Sequence, residues 1–250
     1  MTAVNVVQGT VLVTGGSRGI GRATAERAAL AGWNVVISYR ADTDAADTVV
    51  QACREYGVRA DAVRADVGRE DDVVALFAWI DEHAGRLAGL VNNAGIVPTL
   101  GTVAEMTGER ISAVLDVNVR GPLLCAREAV RRMSTAYGGN GGVIVNVSSR
   151  AAVRGGANDY VDYAASKGAL DTMTVGLSAE VIRDGIRVVG VRPGLIDTTI
   201  HATGRLERMT PTLPMGRPGT ADEVAAAIVW LLSSDASYVA GATLDVGGGV

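Results

Sequence analysis

Short aliphatic runs alternate with stretches of helical periodicity along almost the whole chain, and this rhythm restricts the fold more than any other feature. The runs Thr10–Thr14, Asn34–Ser38, Val58–Val63, Leu87–Val91, Gly142–Val147, Ile186–Val191 and Ala242–Val246 have the length and composition of strands buried on both faces. Between them, helices are predicted over Ile20–Ala31, Asp42–Tyr56, Arg69–His83, about Val103–Leu115, about Asn118–Met133, Tyr163–Arg183 and Ala221–Leu232. Gly32 stops the first, Asp42 or Thr43 caps the second, and Pro122 sits near the start of the fifth. Such alternation requires right-handed crossovers, hence an α/β fold with a doubly wound, parallel seven-stranded sheet covered by helices on both faces. No Pro-, Gly- or Ser-rich linker and no repeat interrupts it, so one domain is expected over residues 1–250. Only the segment 197–219 lacks periodicity; Pro211 and Pro214 favour a loop there, and a loop that long is usually a substrate-binding loop.

Aromatic residues make up 4% of the chain, so the core must be aliphatic. A net charge of -4 disfavours a nucleic-acid partner. No apolar stretch reaches the length of a membrane span, and no basic start followed by an apolar core marks a secretion signal, so a cytoplasmic location is expected. Cys53 and Cys125 have no metal-ligand spacing with the two histidines; they read as small buried hydrophobes, and no metal site is expected. His83, at a helix end, complements the helix dipole, and His201 reads as a solvated residue of the 197–219 segment.

The first strand runs into Thr14-Gly15-Gly16-Ser17-Arg18-Gly19-Ile20-Gly21 and then into a helix. Glycines there let the backbone approach a pyrophosphate whose charge sits at the helix N-terminus, which makes the fold a Rossmann-type dinucleotide binder. The spacing G-x-x-x-G-x-G departs from the more familiar G-x-G-x-x-G. An acid ending the second strand would accept the ribose hydroxyls of NAD and repel the extra phosphate of NADP. This strand ends Ser38-Tyr39-Arg40, and Arg40 with Arg18 can clamp a 2′-phosphate, so NADP(H) is favoured over NAD(H).

Tyr163 and Lys167 lie four apart on one face of a predicted helix. An ammonium beside a phenol stabilises the phenolate and brings tyrosine toward the range of a general acid/base. Ser149, at the end of the fifth strand, lies where such sheets line their ligand crevice, and can hold a substrate oxygen beside the tyrosine. Lys167 is the only lysine among 23 basic residues. Arginine cannot replace a compact ammonium that bonds a ribose and relays a proton. The pattern is that of an oxidoreductase acting on a carbonyl or secondary alcohol.

With these motifs in this order, the whole chain resembles the short-chain dehydrogenase/reductase family, particularly its 3-oxoacyl-thioester reductases and glucose 1-dehydrogenase-like members. The resemblance rests on the glycine turn, Asp66-Val67, Asn92-Asn93-Ala94-Gly95, Asn118, Ser149, Tyr163, Lys167, and Pro193-Gly194 with Thr198. It implies that Asp66 and Val67 cradle the adenine, that Asn93, Ala94 and Gly95 support the cofactor cleft, and that Pro193, Gly194, Ile196 and Thr198 border the nicotinamide. Asn118 would hold a water linking Lys167 to solvent, Ser149 would orient the carbonyl, Tyr163 would donate the proton, and Lys167 would bind the nicotinamide ribose. It further implies a homotetramer in which the helices Asn118–Met133 and Tyr163–Arg183 pair across one interface and Leu244–Val250 packs at another.

The interval from Ser149 to Tyr163 is one residue longer than the family pattern, which leaves Ser148, farther still, as the lesser alternative. Tyr160 has Ala164 four residues on and so lacks a lysine partner. Substrate choice is expected to lie in Ile96–Gly101, Arg150–Asp162 and the segment 197–219. Arg127, Arg131 and Arg132 are candidates for docking a carrier protein, but Ala179 stands where such reductases often carry arginine. Two other readings are an NAD(H)-dependent member of the same family and a non-catalytic cofactor-binding regulator; the complete set Asn118, Ser149, Tyr163 and Lys167 favours catalysis over the latter.

Overall fold

The computed structural model describes residues 9–198 and 204–250, the side chain of Arg205 excepted; His201 falls outside them. The aliphatic runs become strands β1 (Thr10–Val13), β2 (Asn34–Tyr39), β3 (Ala60–Arg64), β4 (Leu87–Asn92), β5 (Gly142–Val147), β6 (Ile186–Pro193), β7 (Ile196–Asp197), β8 (Gly219–Thr220) and β9 (Thr243–Val246). Seven form one parallel sheet in the order β3-β2-β1-β4-β5-β6-β9, and β7 pairs with β8 apart from it. The winding reverses between β1 and β4, so the crevice of this fold opens at the carboxyl ends of those strands.

Alternation along β1 sends Val11 and Val13 to one face and Leu12 to the other, all three fully buried. Helices α1 (Gly19–Leu30), α2 (Thr43–Arg54) and α9 (Ala221–Leu232) cover the first face. The second lies under α3 (Glu70–His83), α5 (Gly121–Met133) and α7 (Val161–Val181). Phe77 and Leu76 of α3, with Met133 of α5, are among the largest buried side chains there. Each such side chain contributes roughly 1.5–3 kcal/mol on burial.

Three expectations need correction. The predicted helix Val103–Leu115 is split: a 3-10 turn at Val103–Glu105, closed by a Thr102–Glu105 capping box, precedes α4 (Gly108–Leu115). Thr107 starts α4 because its hydroxyl accepts the Arg110 N–H at 3.2 Å. The predicted helix Asn118–Met133 begins as a π turn, Asp116–Arg120, and becomes α-helical only at Gly121. Pro122 has no N–H for the Asn118 carbonyl four residues back, and the ladder widens, Gly121 N–H bonding Asp116 five residues back. Finally, the segment 197–219 contains β7, α8 (Arg205–Met209) and a 3-10 turn at Thr210–Thr212, because Arg205–Met209 is a run of helix-forming residues despite the prolines beyond it. Boundaries elsewhere move slightly: β3 starts at Ala60 rather than Val58, and α7 runs Val161–Val181 with a 3-10 turn after it. Among the described residues no helix is long and apolar enough to cross a membrane.

Candidate active site

A cleft of about 1040 Å³ opens at the carboxyl ends of the strands, around the switch point. It exceeds the space a small ligand alone requires.

Thr14 ties its floor together. Its hydroxyl accepts the N–H groups of Asn93 and Ala94, both at 3.0 Å, and the Asn93 side chain returns hydrogen bonds to the carbonyls of Thr14 and Gly15. The glycine turn and the Asn92–Gly95 segment are therefore one unit. Gly15 has a φ of 63°, and a Cβ there would stand 2.9 Å from the Ala94 backbone. A Cβ on Gly21 would meet the Gly15 carbonyl at 2.4 Å. Gly21 thus packs α1 against the turn and does not line the cleft, unlike Gly15, Ser17, Arg18, Gly19 and Ile20. Arg18, the N-cap of α1, makes no side-chain capping bond, and the first turn of α1 carries no acid, which leaves that helix end set for an anion.

At the far end of this floor β2 delivers Tyr39 and Arg40 to the cleft, opposite Asp66 and Val67. Arg18 and Arg40 are exposed, and neither guanidinium has a hydrogen bond or ion pair within the described residues. The nearest acid in sequence, Asp42, is engaged: it caps α2 by accepting Ala45 N–H at 3.0 Å.

Ser149, Tyr163 and Lys167 line the other end, with Pro193, Gly194, Ile196 and Thr198 between. The ammonium of Lys167 donates to the Val147 carbonyl at 2.8 Å and lies 5.7 Å from the centroid of the Tyr163 ring. Lys167 is only 4% exposed, and burial pushes it down to about 8, partly opposed by the charge of Asp171. Ser148 lines the cleft too, but its hydroxyl donates to the Lys167 backbone carbonyl at 3.0 Å and is buried. Asn118 is buried behind the cleft, outside its lining. Its amide donates to the Ile96 carbonyl and to Ser166 Oγ, and its oxygen accepts Ile96 N–H at 2.8 Å.

The remaining walls come from Ile96–Leu100, from Gly156, Ala157, Asp159 and Tyr160, and from Met209 and Leu213. Tyr160, set aside in the sequence for want of a lysine, lines this recess with its ring edge-on to Tyr163 at 5.4 Å. The proposed carrier-docking arginines are tied up in pairs. Arg127 holds Glu70 and Glu128, Arg131 holds Glu128, and Arg132 holds Asp81 and Glu128. They do not form a free basic patch. Sequence reading also missed Arg110 and Asp162, paired beside Tyr163, and Asp171 with Arg192 behind Lys167; charged residues at such spacings carry no signal until the fold brings them together.

Comparison with known proteins identifies the family. A family model described as enoyl-(acyl carrier protein) reductase matches residues 15–250. The uncharacterized oxidoreductase YgfF of Escherichia coli (strain K12) is 54% identical over 242 residues, covering 95% of this chain and 98% of its own. Glucose 1-dehydrogenase 2 of Bacillus subtilis (strain 168) is 38% identical, covering 96% of this chain and 94% of its own. The crystal structure of a short chain dehydrogenase from Burkholderia cenocepacia J2315 in complex with NADP superposes with a TM-score of 0.91 at 35% identity, covering 98% of both chains. The chain belongs to the short-chain dehydrogenase/reductase family of oxidoreductases.

Proposed function

We propose that this oxidoreductase uses NADP(H) to interconvert a carbonyl and a secondary alcohol, with Tyr163 as general acid/base. The observation that carries this reading is that Ser149, Tyr163 and Lys167 share one cleft with a helix N-terminus that has no side-chain cap and with Arg18 and Arg40, whose guanidiniums have no partner among the described residues. The residues present fit the cofactor. The N-terminus of α1 with Gly15, Ser17, Gly19 and Ile20 takes the pyrophosphate, and Arg18 and Arg40 take the 2′-phosphate. Tyr39, Asp66 and Val67 border the adenine; Asn93, Ala94, Gly95, Pro193, Gly194, Ile196 and Thr198 flank the nicotinamide end. When bound, NADP(H) supplies or removes the hydride.

The remaining chemistry belongs to the chain. Ser149 Oγ holds the substrate oxygen. Tyr163 Oη gives that oxygen a proton during reduction and takes it back during oxidation. Lys167, as an ammonium, stabilises the phenolate left on Tyr163 and bonds the ribose through donors not used by Val147. Both amide hydrogens of Asn118 are engaged, so a water relaying protons from Lys167 has to sit on a remaining acceptor lone pair; the side chain itself holds Ile96 and Ser166 in place. Tyr160, Ile96–Leu100, Met209 and Leu213 select the substrate. The cytosol is the proposed location and a homotetramer the proposed assembly. Gly168 and Gly176 of α7 support the latter, since a Cβ at either would meet nothing within 4 Å, leaving room for a partner helix.

Tyr163→Phe tests the acid/base assignment. Turnover of any accepted carbonyl should fall at least about 100-fold while NADPH binding stays within a few-fold; wild-type turnover would refute it.

A further inference from the structure

Four charged side chains run in series from β9 to α7, behind the corner where Ser149, Tyr163 and Lys167 meet. Arg150, next to Ser149, bonds Oδ2 of Asp245 on β9. The Oδ1 atom of Asp245 accepts from Arg192 Nη1 at 3.3 Å, and Arg192 Nε donates to Asp171 Oδ2 at 2.7 Å. The series ends on Asp171, whose other oxygen, Oδ1, is buried without a hydrogen-bond partner among the described residues. Asp171 follows Lys167 by four residues in α7 and so lies on its face of the helix. A buried carboxylate oxygen left open is unfavourable unless a positive charge offsets it. The ammonium of Lys167 has the converse need, with the Val147 carbonyl as its one hydrogen-bond acceptor among the described residues.

We propose that Asp171 is a positioning residue for Lys167: clamped by Arg192, its open oxygen supplies the negative charge that offsets the buried ammonium one turn away and keeps it charged. The inference rests on the role given to Lys167 above. The electrostatics agree in sign, since burial pushes Lys167 down to about 8 and Asp171 acts against that. No other described residue is placed to do the same. On α7, the ring centroid of Tyr163 lies 5.7 Å from the Lys167 ammonium. From β5 comes the Val147 carbonyl, and from the segment after β4 and the π turn come Gly95 and Asn118, all uncharged. Asp162, earlier on α7, is neutralised by Arg110 of α4, while Arg192 of β6 and Asp245 of β9 lie beyond Asp171 in the series.

The lone lysine makes a direct test possible. Growth on 13C-labelled lysine marks Lys167 alone, and its Cε resonance can be titrated in the cofactor-free protein. The midpoint should lie at about 8 in the wild type and about one unit lower in Asp171→Asn. Asp245→Asn breaks the same series one link farther out without removing the charge beside Lys167, and should leave the midpoint in place. An unmoved midpoint in Asp171→Asn overturns the inference, as does an equal fall in Asp245→Asn, which would mean general loosening. If Asp171→Asn fails to fold because Arg192 is left unpaired, the double variant Asp171→Asn/Arg192→Gln should shift the midpoint in the same direction, and an unmoved midpoint there overturns the inference equally. In turnover, the alkaline limb of the pH–rate profile should move to lower pH in Asp171→Asn, whereas a purely structural role would lower the rate equally at every pH. The titration uses neither cofactor nor substrate, so its failure leaves the role of Tyr163 standing, and the failure of Tyr163→Phe leaves the titration interpretable.

Discussion

The guanidinium of Arg110 closes on the carboxylate of Asp162 with both arms, Nε to Oδ2 at 2.8 Å and Nη2 to Oδ1 at 3.1 Å, one residue before Tyr163. Oδ1 of Asp162 also accepts the Tyr163 N–H at 2.9 Å, so α4 fixes the first turn of α7 and the start of the helix that carries Tyr163. Burial alone would raise Asp162, but the hydrogen bonds from Arg110 and Tyr163 outweigh it and hold the carboxyl below its ordinary range. The stability this pair contributes is therefore present above the ordinary aspartate range and is lost as pH falls through the depressed value.

Arg110→Met leaves Asp162, whose side chain is 4% exposed, without its partner. A loss of about 3–5 kcal/mol is expected, measured by urea unfolding at neutral pH, with the difference from wild type shrinking as Asp162 is protonated in acid. A loss that does not vary with pH would contradict the ion-pair account.

Lys167→Met should abolish turnover and flatten the rise of stability with pH that the buried ammonium imposes. In the folded chain Lys167 lies near 8 instead of its ordinary 10.5, so the unfolded chain binds the proton more tightly and stability rises with pH across that window. At neutral pH the buried charge costs on the order of 3 kcal/mol. The variant removes that cost but leaves the open oxygen of Asp171 without its offsetting charge, so the pH slope is the readout. Stability should rise less between about pH 8 and 10.5 than in the wild type, and an unchanged rise would contradict the buried-ammonium assignment.

Arg40→Asp should lower the preference for NADPH over NADH by about 100-fold or more, since it replaces an attractive charge by a repulsive one at the proposed 2′-phosphate. An unchanged affinity ratio would refute the clamp.

The adjacent serines should separate. Ser149→Ala is expected to lower kcat by about 100-fold with little change in unfolding free energy. Ser148→Ala, which loses the bond to the Lys167 carbonyl, should cost about 1 kcal/mol of stability and far less in kcat. The reverse pattern would make Ser148 the residue that orients the substrate.

Much of the sheet was legible because buried parallel strands are written as continuous aliphatic runs, as in Val11–Val13 and Val143–Val145. Tyr163 and Lys167 were legible as a local spacing that a helix converts into one face. The π turn at Asp116–Arg120 was not, because it depends on what Pro122 withholds from a residue four back. The pairs Arg110–Asp162 and Arg192–Asp171 join residues 52 and 21 apart in sequence, and their charges read as solvated surface until the helices and β6 meet. Arg127 and Arg132 misled for the same reason, since Glu70 and Asp81 reach them from another helix, while Arg131 pairs with Glu128 of its own helix.

The most direct measurement is a fluorescence titration of the purified protein with NADPH and with NADH, followed by a panel of 3-oxoacyl thioesters, ketones, diketones and quinones, with sugars and polyols assayed in reverse. NADPH should bind at least about tenfold more tightly than NADH, equivalent to about 1.4 kcal/mol, and be oxidised by at least one member of the panel. Binding of neither cofactor would contradict the reading of the glycine turn and of the whole cleft built around it.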